Sequence, residues 1–313
     1  IAPTGLTGMI HPDGEILAAR AAKRFGIPFT LSTMSICSME TVAQATDYHP
    51  FWFQLYVMRD RHFVENLIDR AKAVNCGALV VTMDLQVFGQ RHKDIKNGLS
   101  TPPKMTLRNL LDIAVKPRWC RNMLATRNRN FGNIIGHASG VDNIDAMVEW
   151  TAQQFDPRLS WQDIEWIKQR WGGKLIVKGI MDVEDARLAV AAGADALIVS
   201  NHGGRQLDGV SSSITLLPEI VSAVGDRIEV HFDGGIRSGQ DVLKAIALGA
   251  KGTYIGRSML YGLGALGEEG VTMALNIIRN EFDLSMAFCG KTNVAAVDAS
   301  ILRGNVFSAQ HNT

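Results

Sequence analysis

Cysteine is scarce in this chain and nowhere paired. Cys37, Cys76, Cys120 and Cys289 form no C-x-x-C and sit in no histidine cluster at metal-ligand spacing. That excludes a disulfide framework and a metal site as organising features, and four isolated thiols fit a reducing compartment. No apolar run reaches the ~20 residues that would span a bilayer. Charge of one sign is also lacking: the net value is +1, so no overall field calls for a nucleic acid. An initiator methionine is absent too. The opening Ile1-Ala2-Pro3-Thr4-Gly5 reads at once as strand and turn, implying a processed or truncated N terminus with a segment missing ahead of it.

What is present is a core-forming composition, 46% hydrophobic and 20% charged over 313 residues, long enough for one α/β barrel or two ordinary domains. An apolar strand, a polar or glycine-bearing end and a helical pattern recur along it. Candidate strands cover 1–5, 29–32, 51–56, 79–84, 175–179, 196–200, 229–234 and 253–256. Helical patterns cover 15–25, 63–74, 183–192 and 239–248, with glycines expected to close them at Gly26, Gly77, Gly193 and Gly249. Asp60 and Asp182 are placed to cap helix starts. Eight strands alternating with helices imply right-handed βαβ units and a parallel sheet. No G-x-G-x-x-G follows the first strand, which weakens an open doubly wound sheet. The expectation is therefore an α/β fold, a (β/α)8 TIM barrel occupying 1–313 as a single domain.

The spacing breaks once, between the fourth and fifth candidate strands, where about ninety residues replace the usual twenty to thirty. We read 85–160 as an insertion within the barrel. Inside it, residues 98–131 carry Lys104, Arg108, Lys116, Arg118, Arg121, Arg127 and Arg129 against one acid, Asp112, interleaved with leucines, methionines and Trp119. Such a segment suits an anionic membrane surface; a solvated lid is the plainer alternative. A helix should resume after Ser160 and run to about Arg170.

Barrel enzymes collect their chemistry at the C-terminal ends of strands. Those ends here are Thr4, Ser32, Gln54 with Tyr56, Thr82 with Asp84, Lys178, Ser200 with His202, Asp233 with Arg237, and Gly256-Arg257. The last two, Asp233-Gly234-Gly235-Ile236-Arg237 and Gly256-Arg257, have the glycines and charge of a phosphate site, which in such barrels follows the seventh and eighth strands. A flavin mononucleotide would fit, its ring running towards Thr4, Ser32, Gln54 and Thr82 with Lys178 near its pyrimidine edge. Ser200-Asn201-His202-Gly203-Gly204-Arg205-Gln206 delivers a proton-exchanging histidine and an arginine able to grip a carboxylate. Alone, that turn is as compatible with a solvated loop as with a site.

The Ser200–Gln206 block resembles the signature of the FMN-dependent L-2-hydroxy-acid oxidases and dehydrogenases, the family of glycolate oxidase, lactate oxidase, flavocytochrome b2 and mandelate dehydrogenase. Thr30-Leu31-Ser32, Phe53-Gln54-Leu55-Tyr56-Val57, Val81-Thr82-Met83-Asp84, Val177-Lys178-Gly179 and Asp233-Gly234-Gly235-Ile236-Arg237 look like family blocks in family order. Within the family, Trp52-Phe53-Gln54-Leu55-Tyr56 and Phe155-Asp156-Pro157 resemble the branch of bacterial membrane-associated L-lactate dehydrogenases. The resemblance implies His202 as base with Asp84 paired to it, Arg205 and Arg91 on the substrate carboxylate, and Tyr56 on its hydroxyl or carboxylate. It implies FMN held by Thr4, Ser32, Gln54, Thr82, Lys178, Ser200, Asp233, Gly235, Arg237, Gly256 and Arg257. A further tyrosine is expected from an N-terminal segment. It also implies oxidation of an L-2-hydroxy acid, foremost L-lactate to pyruvate, with electrons passed to a membrane quinone or cytochrome. The setting would be peripheral on the cytoplasmic side of the inner membrane, as a homo-oligomer, a tetramer. Gly5 after Pro3-Thr4 resembles the dehydrogenases rather than the oxygen-using oxidases, which with a mandelate-type dehydrogenase are the alternatives. The inosine-monophosphate dehydrogenase group shares the Asp233–Arg237 texture but needs a loop cysteine that no strand end here supplies.

Overall fold

The computed structural model describes residues 1–87, 89, 92, 96–97, 106–142, 146, 150 and 153–302. Seven parallel strands pair strictly in chain order: β1 Thr30–Ser32, β2 Trp52–Leu55, β3 Ala78–Thr82, β4 Leu175–Ile180, β5 Ala196–Val199, β6 Glu229–Asp233 and β7 Gly252–Tyr254. Residues 1–5, expected as a strand, are not one. They still occupy its place, because the Ala2 N–H donates to Ile255 O (2.9 Å) and the Thr30 N–H to Ile1 O (3.2 Å). Two bonds are too few for a ladder, but they join β7 back towards β1. The fold is a (β/α)8 barrel curled from a sheet of seven regular strands.

Helices lie between the strands: α1 Thr7–Ile10, α2 Gly14–Phe25, α3 Met39–Ala45, α4 Arg61–Ala73, α5 Leu107–Ala114, α6 Pro117–Ala125, α7 Trp161–Trp171, α8 Val183–Ala191, α9 Ser213–Val224, α10 Gly239–Ala247 and α11 Arg257–Phe288, the last kinked at Leu266-Gly267. The caps follow local chemistry. Asp60 accepts from Phe63 N, and Asp182 from the amides of Glu184 and Asp185. Ser160 N donates to Asp163 Oδ2. Gly77 does not close its helix: α4 ends earlier, and Asn75, a residue that tolerates left-handed backbone, takes that conformation (φ 60°) instead.

Strand alternation sorts the core into two parts. Ala78 and Val80 of β3, Ile176 of β4, Ala196 and Ile198 of β5, and Tyr254 of β7 point into the barrel and pack together. Their neighbours Leu79, Val81, Leu175, Val177, Leu197 and Val199 point out and join the larger core beneath the helices. This is why the strands read as unbroken apolar runs. One polar pair is built into the plug. The Tyr254 hydroxyl lies 3.0 Å from His231 Nδ1, and His231 Nε2 lies 3.2 Å from Glu229. A carboxylate can only accept, so the neutral ring donates through Nε2 and Tyr254 donates to Nδ1.

The segment between β3 and β4 is stitched to the barrel at several points. Thr126 Oγ1 and Asn128 Nδ2 both donate to Asp13 (2.6 Å each), and Trp119 Nε1 donates to Met9 O (3.1 Å). The fully buried Asn133 accepts from Met39 N (2.9 Å) and donates to Ser32 O (3.2 Å) and Ser35 Oγ (2.8 Å). Replacing it strands the buried Met39 amide, while Ser32 O keeps the Ser35 amide (3.2 Å) and Ser35 Oγ keeps Cys37 O (2.7 Å). Asn133→Ala is expected to lower stability by about 1–3 kcal/mol, read as a reduced urea midpoint; a loss below about 0.5 kcal/mol would show the anchor to be dispensable.

Candidate active site

Continuing the inward alternation one step beyond the apolar plug turns it polar. Val80 gives way to Thr82, Ile176 to Lys178, Ile198 to Ser200 and His231 to Asp233. These side chains meet at the C-terminal mouth, around a cavity of about 450 Å³. Of the residues proposed from sequence, Thr4, Ser32, Gln54, Tyr56, Thr82, Lys178, His202, Arg205, Asp233, Gly235, Arg237, Gly256 and Arg257 all line it. Two stand behind the wall: Ser200 beside Lys178, and Asp84 behind His202. Arg91 lies outside the described residues, as do Lys104 and the rest of 98–105.

Lys178 is 4% exposed, and burial opposes its charge. Asp233 at 3.0 Å and the charge of Asp84 outweigh that cost and hold its pKa above the ordinary lysine value. Ser200 Oγ, 2.9 Å from Nζ and 3.1 Å from Asp233, completes the cluster. Across the mouth, Gln54 accepts from Ser32 Oγ (3.1 Å) and donates to Thr82 Oγ1 (3.0 Å), forming a polar shelf.

His202 sits on a turn in which residues 202, 203 and 204 are all left-handed, with φ of 58°, 69° and 71°. For a histidine this is strained, on the order of 1 kcal/mol. It is held by its own amide on Ser200 Oγ (3.2 Å) and by Gly204 N on Asn201 (O 3.0 Å, Oδ1 3.1 Å). Asp84 Oδ1 lies 2.8 Å from His202 Nδ1. The carboxylate can only accept, so Nδ1 carries the hydrogen and Nε2 is the lone-pair nitrogen of the neutral ring. Burial works to raise the Asp84 pKa, but the bond from His202 and the charges of Lys178 and His202 prevail and hold it below the usual value.

The donor set fits FMN. Gly235 (φ 86°) presents bare backbone with nothing within 4 Å of a would-be side chain, and Gly256 meets only Ala2 Cβ at 4.0 Å. Gly256 also caps α11 without any side-chain bond to its first amides, leaving those N–H groups and Arg257 beside the cavity for an anion. Lys178 is a buried cation in the same lining. An apolar wall that no site motif predicts completes the cavity: Leu85, Phe131 and Phe155 also line it, and Phe155 packs edge-on against Tyr56 (5.9 Å, 61°). Phe131 and Phe155 arrive from the insertion; Phe155 belongs to the Phe155-Asp156-Pro157 block that carries the resemblance, but nothing in that block marks it as a wall residue.

Residues 1–304 match the family described as FMN-dependent dehydrogenase. The chain is 47% identical over 303 residues to the L-lactate dehydrogenase of Pseudomonas syringae pv. syringae, covering 96% of this chain and 79% of that protein. It is 46% identical over 310 residues to the L-lactate dehydrogenase of Caulobacter vibrioides, covering 98% and 80%. Among solved structures it is similar to the monotopic membrane protein (S)-mandelate dehydrogenase, with a TM-score of 0.90, 36% identity and coverage of 97% of this chain and 80% of that one. Mandelate oxidase follows with a TM-score of 0.77, 38% identity and coverage of 95% and 76%.

Two outcomes follow from the charges. Lys178→Met leaves Asp233 without its cation and should cost on the order of 3–5 kcal/mol in chemical unfolding, partly recovered in Lys178→Met/Asp233→Asn; equal stability of all three proteins would refute the pairing. The depressed pKa of Asp84 contributes stability that is complete above the unfolded value near ~3.9 and is lost as pH falls through the lower folded value. Asp84→Asn should therefore flatten that part of the acid limb of a stability–pH curve, and an unchanged limb would contradict it.

Proposed function

The chain belongs to the FMN-dependent dehydrogenase family, and within it we propose that it oxidises L-lactate to pyruvate and hands the electrons to a membrane quinone or cytochrome. The kind of reaction, FMN-dependent oxidation of a 2-hydroxy acid, comes with the family and with curated relatives near 46% identity. The observation that carries the catalytic assignment is the Asp84–His202 pair at a cavity that also holds Arg205 and Tyr56; the curated relatives support L-lactate as the substrate.

When bound, the flavin supplies the two-electron acceptor. The protein's part is to bind, orient and move a proton. Arg205 holds the substrate carboxylate by two parallel hydrogen bonds, fixing the carbon that bears the hydroxyl. Arg91 is assigned the same partner from the loop. Tyr56 hydrogen-bonds the substrate's hydroxyl or carboxylate. His202 Nε2 takes a proton, and Asp84 steadies the resulting imidazolium against Nδ1. Lys178, a buried cation in the cavity lining, would stabilise negative charge on the ring of a bound flavin. Thr4, Ser32, Gln54, Thr82, Ser200 and Asp233 are assigned to the ring side of the cofactor, and Gly235, Arg237, Gly256 and Arg257 to its phosphate.

The membrane reading rests on the insertion. Leu107, Val115 and Leu124 are 81%, 74% and 73% exposed, with Lys116, Arg118 and Arg121 exposed among them. No helix among the described residues is long and apolar enough to cross a bilayer, so contact would be peripheral, as on a monotopic protein, and is assigned to the cytoplasmic side of the inner membrane. Each basic residue near an anionic surface contributes about 1 kcal/mol.

Anaerobic mixing with L-lactate should bleach the yellow flavin absorption, and His202→Gln should slow that bleaching by roughly 10²-fold or more. A flavin that no small 2-hydroxy acid bleaches would refute the reaction; fast reoxidation by air with peroxide release would favour an oxidase. Arg118→Glu/Arg121→Glu should reduce co-flotation with anionic vesicles while leaving flavin reduction unchanged. Undiminished flotation would remove this surface from the account.

A further inference from the structure

Strand β4 contains an irregularity whose position matters. Its pairing with β5 runs Ile176 to Ala196, Val177 to Leu197 and Lys178 to Ile198, then jumps to Ile180 opposite Val199. Gly179 is therefore an extra residue, a bulge, and its φ of 102° is one that side-chain-bearing residues rarely adopt. On the other side, the Met83 N–H donates to Lys178 O at 2.8 Å, which lays residue 84 directly over Gly179. A Cβ on Gly179 would stand 2.7 Å from both Cβ and Cγ of Asp84 and 2.9 Å from its backbone nitrogen. The space a side chain would need at Gly179 is filled by the Asp84 carboxylate group.

We infer that Gly179 is a positioning residue: its bulge and bare Cα seat Asp84 against His202, and the same backbone turn holds Lys178 inward on Asp233 and Ser200. A residue that lines no part of the cavity thereby sets both the partner of the base and the cation assigned to the flavin edge. The distances support this directly, since Asp84 Oδ1 reaches His202 Nδ1 at 2.8 Å and Lys178 Nζ reaches Asp233 at 3.0 Å from adjacent sides of one bulge. The charged groups facing Asp84 are His202 and Lys178. The inference rests on the assignment of His202 as base.

A double-mutant cycle between Gly179→Ala and Asp84→Gly tests it on the FMN-bound protein. Gly179→Ala alone should slow anaerobic flavin reduction by about 10- to 100-fold, mostly in the limiting rate rather than in substrate affinity, because a displacement of about 1 Å has that effect. In the Asp84→Gly background two of the three close contacts vanish, so the added alanine should cost no more than a few-fold in rate and lower Tm by clearly less than it does in the wild type. Equal penalties in both backgrounds would overturn the inference. If Gly179→Ala does not fold, recovery of flavin-bound protein in the double variant supports it and continued failure overturns it. Wild-type activity in Asp84→Gly alone would instead refute the role of Asp84 as partner of the base, and the Tm cycle would still report whether Gly179 makes room for residue 84.

Discussion

A lysine ammonium taken out of water must be neutralised, and that constraint arranges the mouth of this barrel. Lys178 is buried against Asp233 and Ser200, and Asp84 adds a second negative charge from the neighbouring strand end. Asp84 in turn is the partner of His202. Three strands, β3, β4 and β6, together with the turn after β5, thus meet in one set of charges. An isolated buried charge would be untenable, so the lysine, two carboxylates and the histidine stand or fall together. The rest of the cavity builds outward from them: a neutral polar shelf at Ser32, Gln54 and Thr82 on one side, bare glycine backbone and arginines on the other.

Most of the architecture is legible in the sequence because parallel strands buried on both faces leave unbroken apolar runs, and because the polar residue closing each run marks the mouth. Ser32, Gln54, Thr82, Lys178 and Asp233 are all found this way, and the structure puts them around one cavity. The first run misleads in detail, since Ile1 and Ala2 make two cross-strand bonds rather than a ladder. Gly77 misleads for another reason: an asparagine two residues earlier can adopt the left-handed turn, and nothing in the pattern says which residue will.

What escapes the sequence depends on contacts between distant segments. Phe131 and Phe155 join the cavity wall only because the insertion returns to the barrel, through Asn133 under β1 and through Gln154, whose backbone oxygen and side chain accept from Arg59 and Asp60. Gly179 reads as an ordinary member of a Val-Lys-Gly run until Asp84 is seen lying over it. The basic, leucine-rich character of the insertion is visible beforehand, whereas its attachment to Asp13 and Met9 of the barrel is not. That attachment gives the proposed membrane-facing helices a fixed relation to the cavity mouth.

The central claim is that one mouth holds cofactor and hydroxy acid in a single arrangement set by these charges. A crystal structure of the FMN-bound protein with pyruvate tests it most directly. The account predicts the cofactor phosphate against Gly235, Gly256 and Arg257, the ring edge beside Lys178, and the pyruvate carboxylate on Arg205 with its keto oxygen within reach of His202 Nε2. A phosphate bound elsewhere, or a pyruvate carboxylate turned away from Arg205, would contradict it.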